Sequence, residues 1–479
     1  MLLEGLTGPD RTAVTVGRTE FSRSALLGHA AATADRLREA GIDRVAVHAA
    51  PAPETVIALV ACLLAGTTAV PVPPDIGAAE LAHVLGDSTP AGWLGATPPD
   101  AGGLPVVAVS SGTAAPPPAP DPNRPALILY TSGTTGPPKG VLLSGSALAA
   151  GIDALVEPWQ WTSADTLVHG LPLYHVHGLV LGLFGPLRIG CPVVHTLRPT
   201  PEAYANTPGT MYFGVPTVWS RVVAEPDTAR RLAAARLLIS GSAPLPTQTF
   251  DRLAELTGQP PVERYGMSET LITVSTRADG ERRAGWVGLP LPGVRTRLRD
   301  DQGRELPHDG ETIGTLEVAG PMIFDGYLGR PDATARALTE DGFVRTGDAA
   351  VIDAQGLHRI VGRESTDLIK SGGYRVGAGE IESCLREHPA VADVAVVGLP
   401  DDDLGQRIVA FVVGTGGPDA LTESEALIDP AALIDHVATR LARHKRPREV
   451  RVVPELPRNA MGKVQKHLLL QARRPPLPG

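Results

Sequence analysis

The ten residues Thr131 to Gly140, TSGTTGPPKG, follow the apolar stretch LILY and bring together three glycines, four hydroxyl side chains and one lysine. The glycines let the backbone turn, so amides and hydroxyls can be aimed at one anion while the Lys139 ammonium neutralises it. Polyphosphate is the anion that suits such a set. The spacing differs from the P-loop motif, because Lys139 is followed by Gly140 rather than by Ser or Thr. A plain Gly/Pro surface turn is the competing reading, disfavoured by so long a run directly after a strand-like segment. Of 43 Lys and Arg residues only five are lysine, and Lys370 and Lys463 fall in two further glycine-bearing strings, residues 362–382 and 456–466. A chain that writes its basic surface in Arg keeps lysine where a compact, flexible ammonium is wanted.

The 131–140 string resembles the phosphate loop of the adenylate-forming superfamily, which includes acyl-CoA synthetases, peptide-synthetase adenylation domains and firefly-type luciferases. The resemblance continues in order through PLYHVHGL (172–179), ISGSAPLP (239–246), RYGMSET (264–270), RTGD (345–348), the 362–382 segment and PRNAMGK (457–463). It implies that Thr131, Ser132, Gly133, Thr134, Thr135 and Lys139 hold the β- and γ-phosphates of ATP. It further implies that Glu269, helped by Thr134, holds Mg²⁺, and that Thr270 meets an α-phosphate oxygen. Glu269 also fits on its own chemistry, as a hard carboxylate for a hard cation. Gly241, Ser242, Ala243 and Pro244, with Tyr265, Gly266 and Met267, resemble the adenine slot. Asp348 resembles the carboxylate that accepts both ribose hydroxyls, and Arg363 its neighbouring cation. Taken singly, an Asp after Gly is a turn residue and Tyr265 a core aromatic, so the ordered set of motifs carries the functional reading. Lys463 resembles the catalytic lysine that bridges the substrate carboxylate and the α-phosphate. Lys370, Ser371, Gly372, Gly373 and Arg375 resemble the loop presented to coenzyme A.

No carrier-protein serine motif of the Gly-Gly-(His/Asp)-Ser type occurs, so free coenzyme A rather than a fused carrier protein is the expected acceptor. PLYHVHGL and STDLIKSGGYRVGAGEIES resemble the malonyl-CoA synthetases, whose acids are malonate and methylmalonate. A second carboxylate taken out of water must meet a cation. Arg236, Arg282 and Arg283 are the candidates, against a surface role for most arginines of the chain. His175, Val176, His177 and Met267 are expected to line the acyl end. Two alternatives stand beside this reading: a synthetase for another short or medium acid, and a catalytically silent nucleotide-binding regulator. Lys463, Glu269 and Asp348 weigh against silence.

These residues must be positioned by more than one core, because 479 residues exceed what a single hydrophobic interior serves. Apolar residues make up 43% and charged residues 20%, the mix of an ordinary globular protein. A net charge of −9 argues against nucleic acid or an anionic membrane as partner. Cys62, Cys191 and Cys384 are widely separated and lack metal-ligand spacing, which predicts free thiols in a reducing cytoplasm. The first ten residues do not read as a secretory signal. The most apolar run, 56–65, is too short to span a bilayer and predicts a core helix that leads through Gly66 into a strand at 69–72.

Amphipathic spacing predicts helices at 22–40 and 246–257, the latter between strands at RLLIS and PVERYG. Beyond 362 the expected elements are a helix at 379–387, strands at 391–399 and 407–413, a helix at 430–443 and a strand at 449–453. The fold class is therefore α/β. A large N-terminal domain of layered sheets and helices spans 1–361, a hinge 362–367, and a small mobile α+β domain 368–479. Resemblance implies that the small domain swings about Ser365 and Thr366, withdrawing Lys463 and presenting residues 370–375. ESTD before Leu368 is one residue longer than in many relatives. The tail RRPPLPG is expected to be disordered.

Overall fold

The computed structural model describes residues 2–96, 102–131, 137–415, 429–458 and 464–470. Ser132, Gly133, Thr134, Thr135, Lys463 and the final residues RRPPLPG lie outside the described residues. The chain divides into two compact units, one of residues 1–296 and 318–345, the other of 297–317 and 346–479.

The first unit contains a nine-stranded and a seven-stranded sheet. At the heart of the larger sheet the strands Leu237–Ser240 and Met211–Gly214 run parallel and are buried along their whole length. Continuous apolar runs such as LLIS and MYFG belong in that place, because a parallel strand is covered on both faces. Val262–Met267 extends this sheet in parallel beside Leu237–Ser240, and Leu271–Ser275 turns back against it. In the smaller sheet, Pro125–Thr131 and Lys139–Ser144 form an antiparallel pair between Thr68–Val72 and Gly326–Tyr327.

The flanking helices form where periodicity places them. Arg23–Glu39 starts at Ser22, whose side chain accepts the Ala25 amide, and Pro53–Ala65 stops at Gly66, whose φ of 70° suits glycine. Thr247–Thr257 is closed by Gly258 in the same way. No helix among the described residues is long and apolar enough to cross a membrane. All three cysteines are buried and free, and burial pushes the Cys62 and Cys191 thiols up to about 12.

The second unit carries the hairpin Leu368–Ser371 and Tyr374–Gly377, the helix Ala378–Arg386 and the long antiparallel pair Val391–Asp401 and Gly405–Gly414. Glu449–Val452 adds a parallel strand. Gly372 and Gly373, at φ 56° and 83°, make the two-residue turn that closes such a hairpin without splaying it. The helix expected at 430–443 ends at Ala438. The Leu441 amide still bonds the Val437 carbonyl, but Arg443–Lys445 forms its own 3₁₀ turn, from which Lys445 reaches both oxygens of Glu380 at 2.8 Å.

This unit also reaches back further than the expected boundary at 361. Thr346 donates its hydroxyl to the Leu316 carbonyl at 2.7 Å, and Arg375 and Lys370 both pair with Asp301. Residues 297–317 and 346–361 therefore pack with the hairpin that the sequence assigns to the small domain alone. Lys466 is half-buried between two carboxylates, 2.5 Å from Asp367 and 2.6 Å from Glu382. Those acids are themselves anchored by the Arg363 and Val396 amides.

Candidate nucleotide and acid site

In the first unit, Thr131 and Lys139 face each other across the antiparallel pair that brackets the phosphate-loop string. The Lys139 ammonium lies 4.8 Å above the ring of Tyr327. The same tyrosine donates its hydroxyl to Glu269 Oε1 at 2.8 Å, and the Phe324 amide bonds the Glu269 carbonyl at 2.8 Å. Two residues from distant motifs thus meet one aromatic side chain that the sequence reading did not single out. Glu269 fits Mg²⁺, which takes one or two carboxylates and completes its shell with substrate phosphates and water. No cluster of three or more metal-ligating side chains occurs among the described residues.

Thr270 is fully buried, and its hydroxyl donates to the Leu271 carbonyl at 3.3 Å. Leu271 holds a left-handed φ of 51°, and Ser242 a left-handed φ of 73°. Two strained non-glycine residues, one inside the ISGSAPLP motif and one directly after RYGMSET, are what a functional site accumulates when packing over-determines the backbone. Ser242, Ala243 and Pro244 are exposed, and Tyr265, Gly266 and Met267 are half-buried at the end of the Val262–Met267 strand. A Cβ on Gly266 would sit 1.9 Å from the Leu271 carbonyl oxygen, so this turn admits only glycine.

His177 opens a π-helical stretch, His177–Phe184, a geometry that favours functional positions. It is buried, and neither ring nitrogen has a hydrogen-bond partner among the described residues. Burial, then the charge of Arg264, then His169 hold its pKa well below the ordinary histidine value, so the ring is neutral. By contrast His169 and His195 are satisfied by backbone groups at Gly182, Leu171 and Leu197. His175 is half-buried against the Tyr174 ring, and Val176 packs on the core.

Of the three arginines expected to meet a distal carboxylate, Arg236 binds Asp165 at 2.9 Å and the Trp159 carbonyl at 2.7 Å. Arg282 donates to the carbonyls of Arg277, Pro260 and Ala278, and Arg283 pairs with Glu281 at the surface. All three are engaged in holding loops. A buried guanidinium beside these motifs belongs to Arg264, whose Nε and Nη2 have no hydrogen-bond partner among the described residues. Burial pushes its guanidinium down to about 10, which leaves it charged at neutral pH. Its guanidinium lies so close to Gly241 that a Cβ there would come within 2.3 Å of it. Arg264 thus lies against the glycine of the GSAP motif, and its charge reaches His177 of the PLYHVHGL motif.

In the second unit Asp348 and Arg363 are register partners on adjacent antiparallel strands, with Arg363 Nε 3.0 Å from Asp348 Oδ1. Lys370 and Arg375 share Asp301 beside the Gly372–Gly373 turn, and Ser371 is buried.

Residues 5–328 match the model of the AMP-binding enzyme family, and residues 380–463 that of the AMP-binding enzyme C-terminal domain. The malonate–CoA ligase of Arabidopsis thaliana is 34% identical over 475 residues, covering 88% of this chain and 77% of that protein. A malonyl-CoA ligase solved as a ternary product complex with methylmalonyl-CoA and AMP is 51% identical, with a TM-score of 0.72 over 95% of this chain and 99% of that one. ATP-bound MatB from Rhodopseudomonas palustris is 34% identical, with a TM-score of 0.88 over 98% of this chain and 97% of that one. With both family models matched in order along one chain, this protein belongs to the AMP-binding enzyme family and carries that family's C-terminal domain.

Proposed function

We propose that this protein is a cytoplasmic, ATP-dependent ligase that joins malonate or methylmalonate to coenzyme A through an acyl-adenylate, releasing AMP and pyrophosphate. The observation that carries the choice of acid is Arg264, a buried, charged guanidinium with two unpaired N–H-bearing nitrogens beside a neutral, unpaired His177. A buried cation without a counter-ion is costly, and a carboxylate arriving from solvent removes that cost. Relatives similar to this chain include a malonate–CoA ligase and a malonyl-CoA ligase, and malonate supplies such a carboxylate at the end that does not react.

In this reading the reacting carboxylate attacks the α-phosphorus in line, the bond to the β-phosphate bridge oxygen breaks, and pyrophosphate leaves. Thr131, Lys139 and the string between them hold the pyrophosphate end, Tyr265 and residues 241–244 the purine, and Asp348 the ribose. Glu269, with Thr134, would hold Mg²⁺. The chemistry that ion supplies when bound is neutralisation of phosphate charge. Lys463 brings an ammonium to the two anions as they meet. The coenzyme A sulfur then attacks the acyl carbonyl carbon, and AMP leaves with the electron pair. Arg264 and His177 hold the distal carboxylate through both steps and take no proton.

The test is coenzyme A-dependent AMP release with a panel of acids. Malonate and methylmalonate are expected to exceed acetate, propionate and medium-chain acids by at least tenfold in kcat/KM. Arg264→Met should lower kcat/KM for malonate by about a hundredfold or more while changing that for propionate little. Equal use of propionate and malonate by the native protein would remove the dicarboxylate assignment. No AMP with any acid would favour a silent nucleotide-binding protein.

A further inference from the structure

Tyr327 touches two residues to which the proposed mechanism gives separate tasks. It lies on the short strand Gly326–Tyr327, which pairs antiparallel with Val141 and Leu142, so its backbone is registered to the very strand that starts at Lys139. Its amide donates to Thr334 Oγ1 at 2.9 Å, and the Phe324 ring meets it edge-on at 5.0 Å. The side chain is held from several sides before it meets anything functional. Its hydroxyl then donates to Glu269 Oε1 at 2.8 Å, and its ring face carries the Lys139 ammonium at 4.8 Å.

We infer that Tyr327 is a positioning residue that couples the Glu269 carboxylate to the Lys139 ammonium. A hydrogen bond to Oε1 fixes the plane of the carboxylate, so Oε2 meets a cation from one direction only. Metal-ligating groups are commonly oriented by such outer partners, whose loss weakens metal affinity about 10- to 100-fold. The ring supplies a second restraint, since an ammonium over an aromatic face is drawn to it without giving up its three N–H donors. Lys139 can therefore rest on Tyr327 and still donate to a phosphate. One side chain thus sets the separation between the metal ligand and the cation that flank the same polyphosphate. The inference rests on the reading of Glu269 as the Mg²⁺ ligand.

The experiment uses the full chain with Mn²⁺ as probe and an ATP analogue whose α,β-bridge is a methylene group, so that no turnover occurs. Mn²⁺ binding is read by electron paramagnetic resonance, and the affinity for the analogue at saturating metal is read by calorimetry. Tyr327→Phe keeps the ring and its packing, and is expected to weaken Mn²⁺ about tenfold with the analogue's affinity unchanged. Tyr327→Leu should lose the same metal affinity and in addition weaken the analogue several-fold, because Lys139 has lost its platform. The Tyr327→Phe titration decides by itself if the leucine variant does not fold. Native Mn²⁺ affinity in Tyr327→Phe, with weakened binding in Glu269→Gln, would overturn the inference alone. Native affinity in Glu269→Gln would overturn the reading on which it rests.

Discussion

Glu263 and Arg264 are adjacent, oppositely charged and both buried, yet strand geometry sends their side chains to opposite faces of the sheet. Glu263 accepts the Gly285 amide at 3.0 Å, but burial dominates and raises its pKa from 4.5 to about 7. An acid whose folded-state pKa is raised binds its proton more tightly in the folded protein, so stability falls as pH rises from about 4.5 to about 7 and is flat beyond. Glu263→Gln removes that slope. Thermal melts at pH 5 and pH 8 should show the variant gaining on the native protein by several degrees at the higher pH, whereas a constant difference would exclude the buried, titrating carboxylate. Arg264 has the opposite signature. Because its cation is unpaired without substrate, Arg264→Met should melt at or above the native temperature in the absence of acid, while a structural arginine would melt lower. ERYGM drew attention to Tyr265 in the sequence. Nothing in a string of letters says that the preceding arginine lacks a counter-ion, since that depends on what Gly241 and His177 leave around it.

At the scale of elements, Lys466 joins three pieces that are far apart in the chain. They are the 365–367 turn through Asp367, the helix Ala378–Arg386 through Glu382, and its own helix Lys466–Leu470. Removing the ammonium leaves the buried Glu382 and the half-buried Asp367 without their shared cation, so Lys466→Met should cost about 2–4 kcal/mol in urea unfolding. A loss under 1 kcal/mol would mean that solvent reaches the cluster. Lysine scarcity pointed at Lys139, Lys370 and Lys463, and the remaining two, Lys445 and Lys466, turn out to tie helices to loops. Helices and central strands were legible because burial imposes a period on them: 22–40, 246–257 and the RLLIS and PVERYG strands stand where their patterns predict. The two-residue strands Trp93–Leu94, Val106–Val107 and Gly326–Tyr327 carry too few residues to show a period, and pairing partners elsewhere define them. Tyr327 was missed for that reason.

At the scale of the whole molecule, the order of motifs was legible because each is a local string; the family models, 5–328 and 380–463, span the motifs up to 270 and the one ending at 463, while RTGD and most of 362–382 lie between them. Long-range packing was not. The boundary expected at 361 follows a change in sequence grain, whereas the compact units exchange the chain near 296, 317 and 345. Lys463, carried over by resemblance, belongs to the later stretch. Lys463→Ala should abolish adenylate formation, measured by pyrophosphate exchange, and leave thioester formation from supplied malonyl-adenylate largely intact. Equal loss of both half-reactions would contradict a lysine that serves only the first.

Asp301 receives Lys370 and Arg375, and the Ile313 carbonyl also accepts from Arg375, so the partners of this hairpin are encoded well upstream of it. A single recombination crossover near codon 362 would graft a foreign hairpin onto acceptors it did not evolve beside. Heritable shuffling of this lobe among relatives is viable only when two separated gene segments travel together, or when the acceptors happen to be the same in donor and recipient.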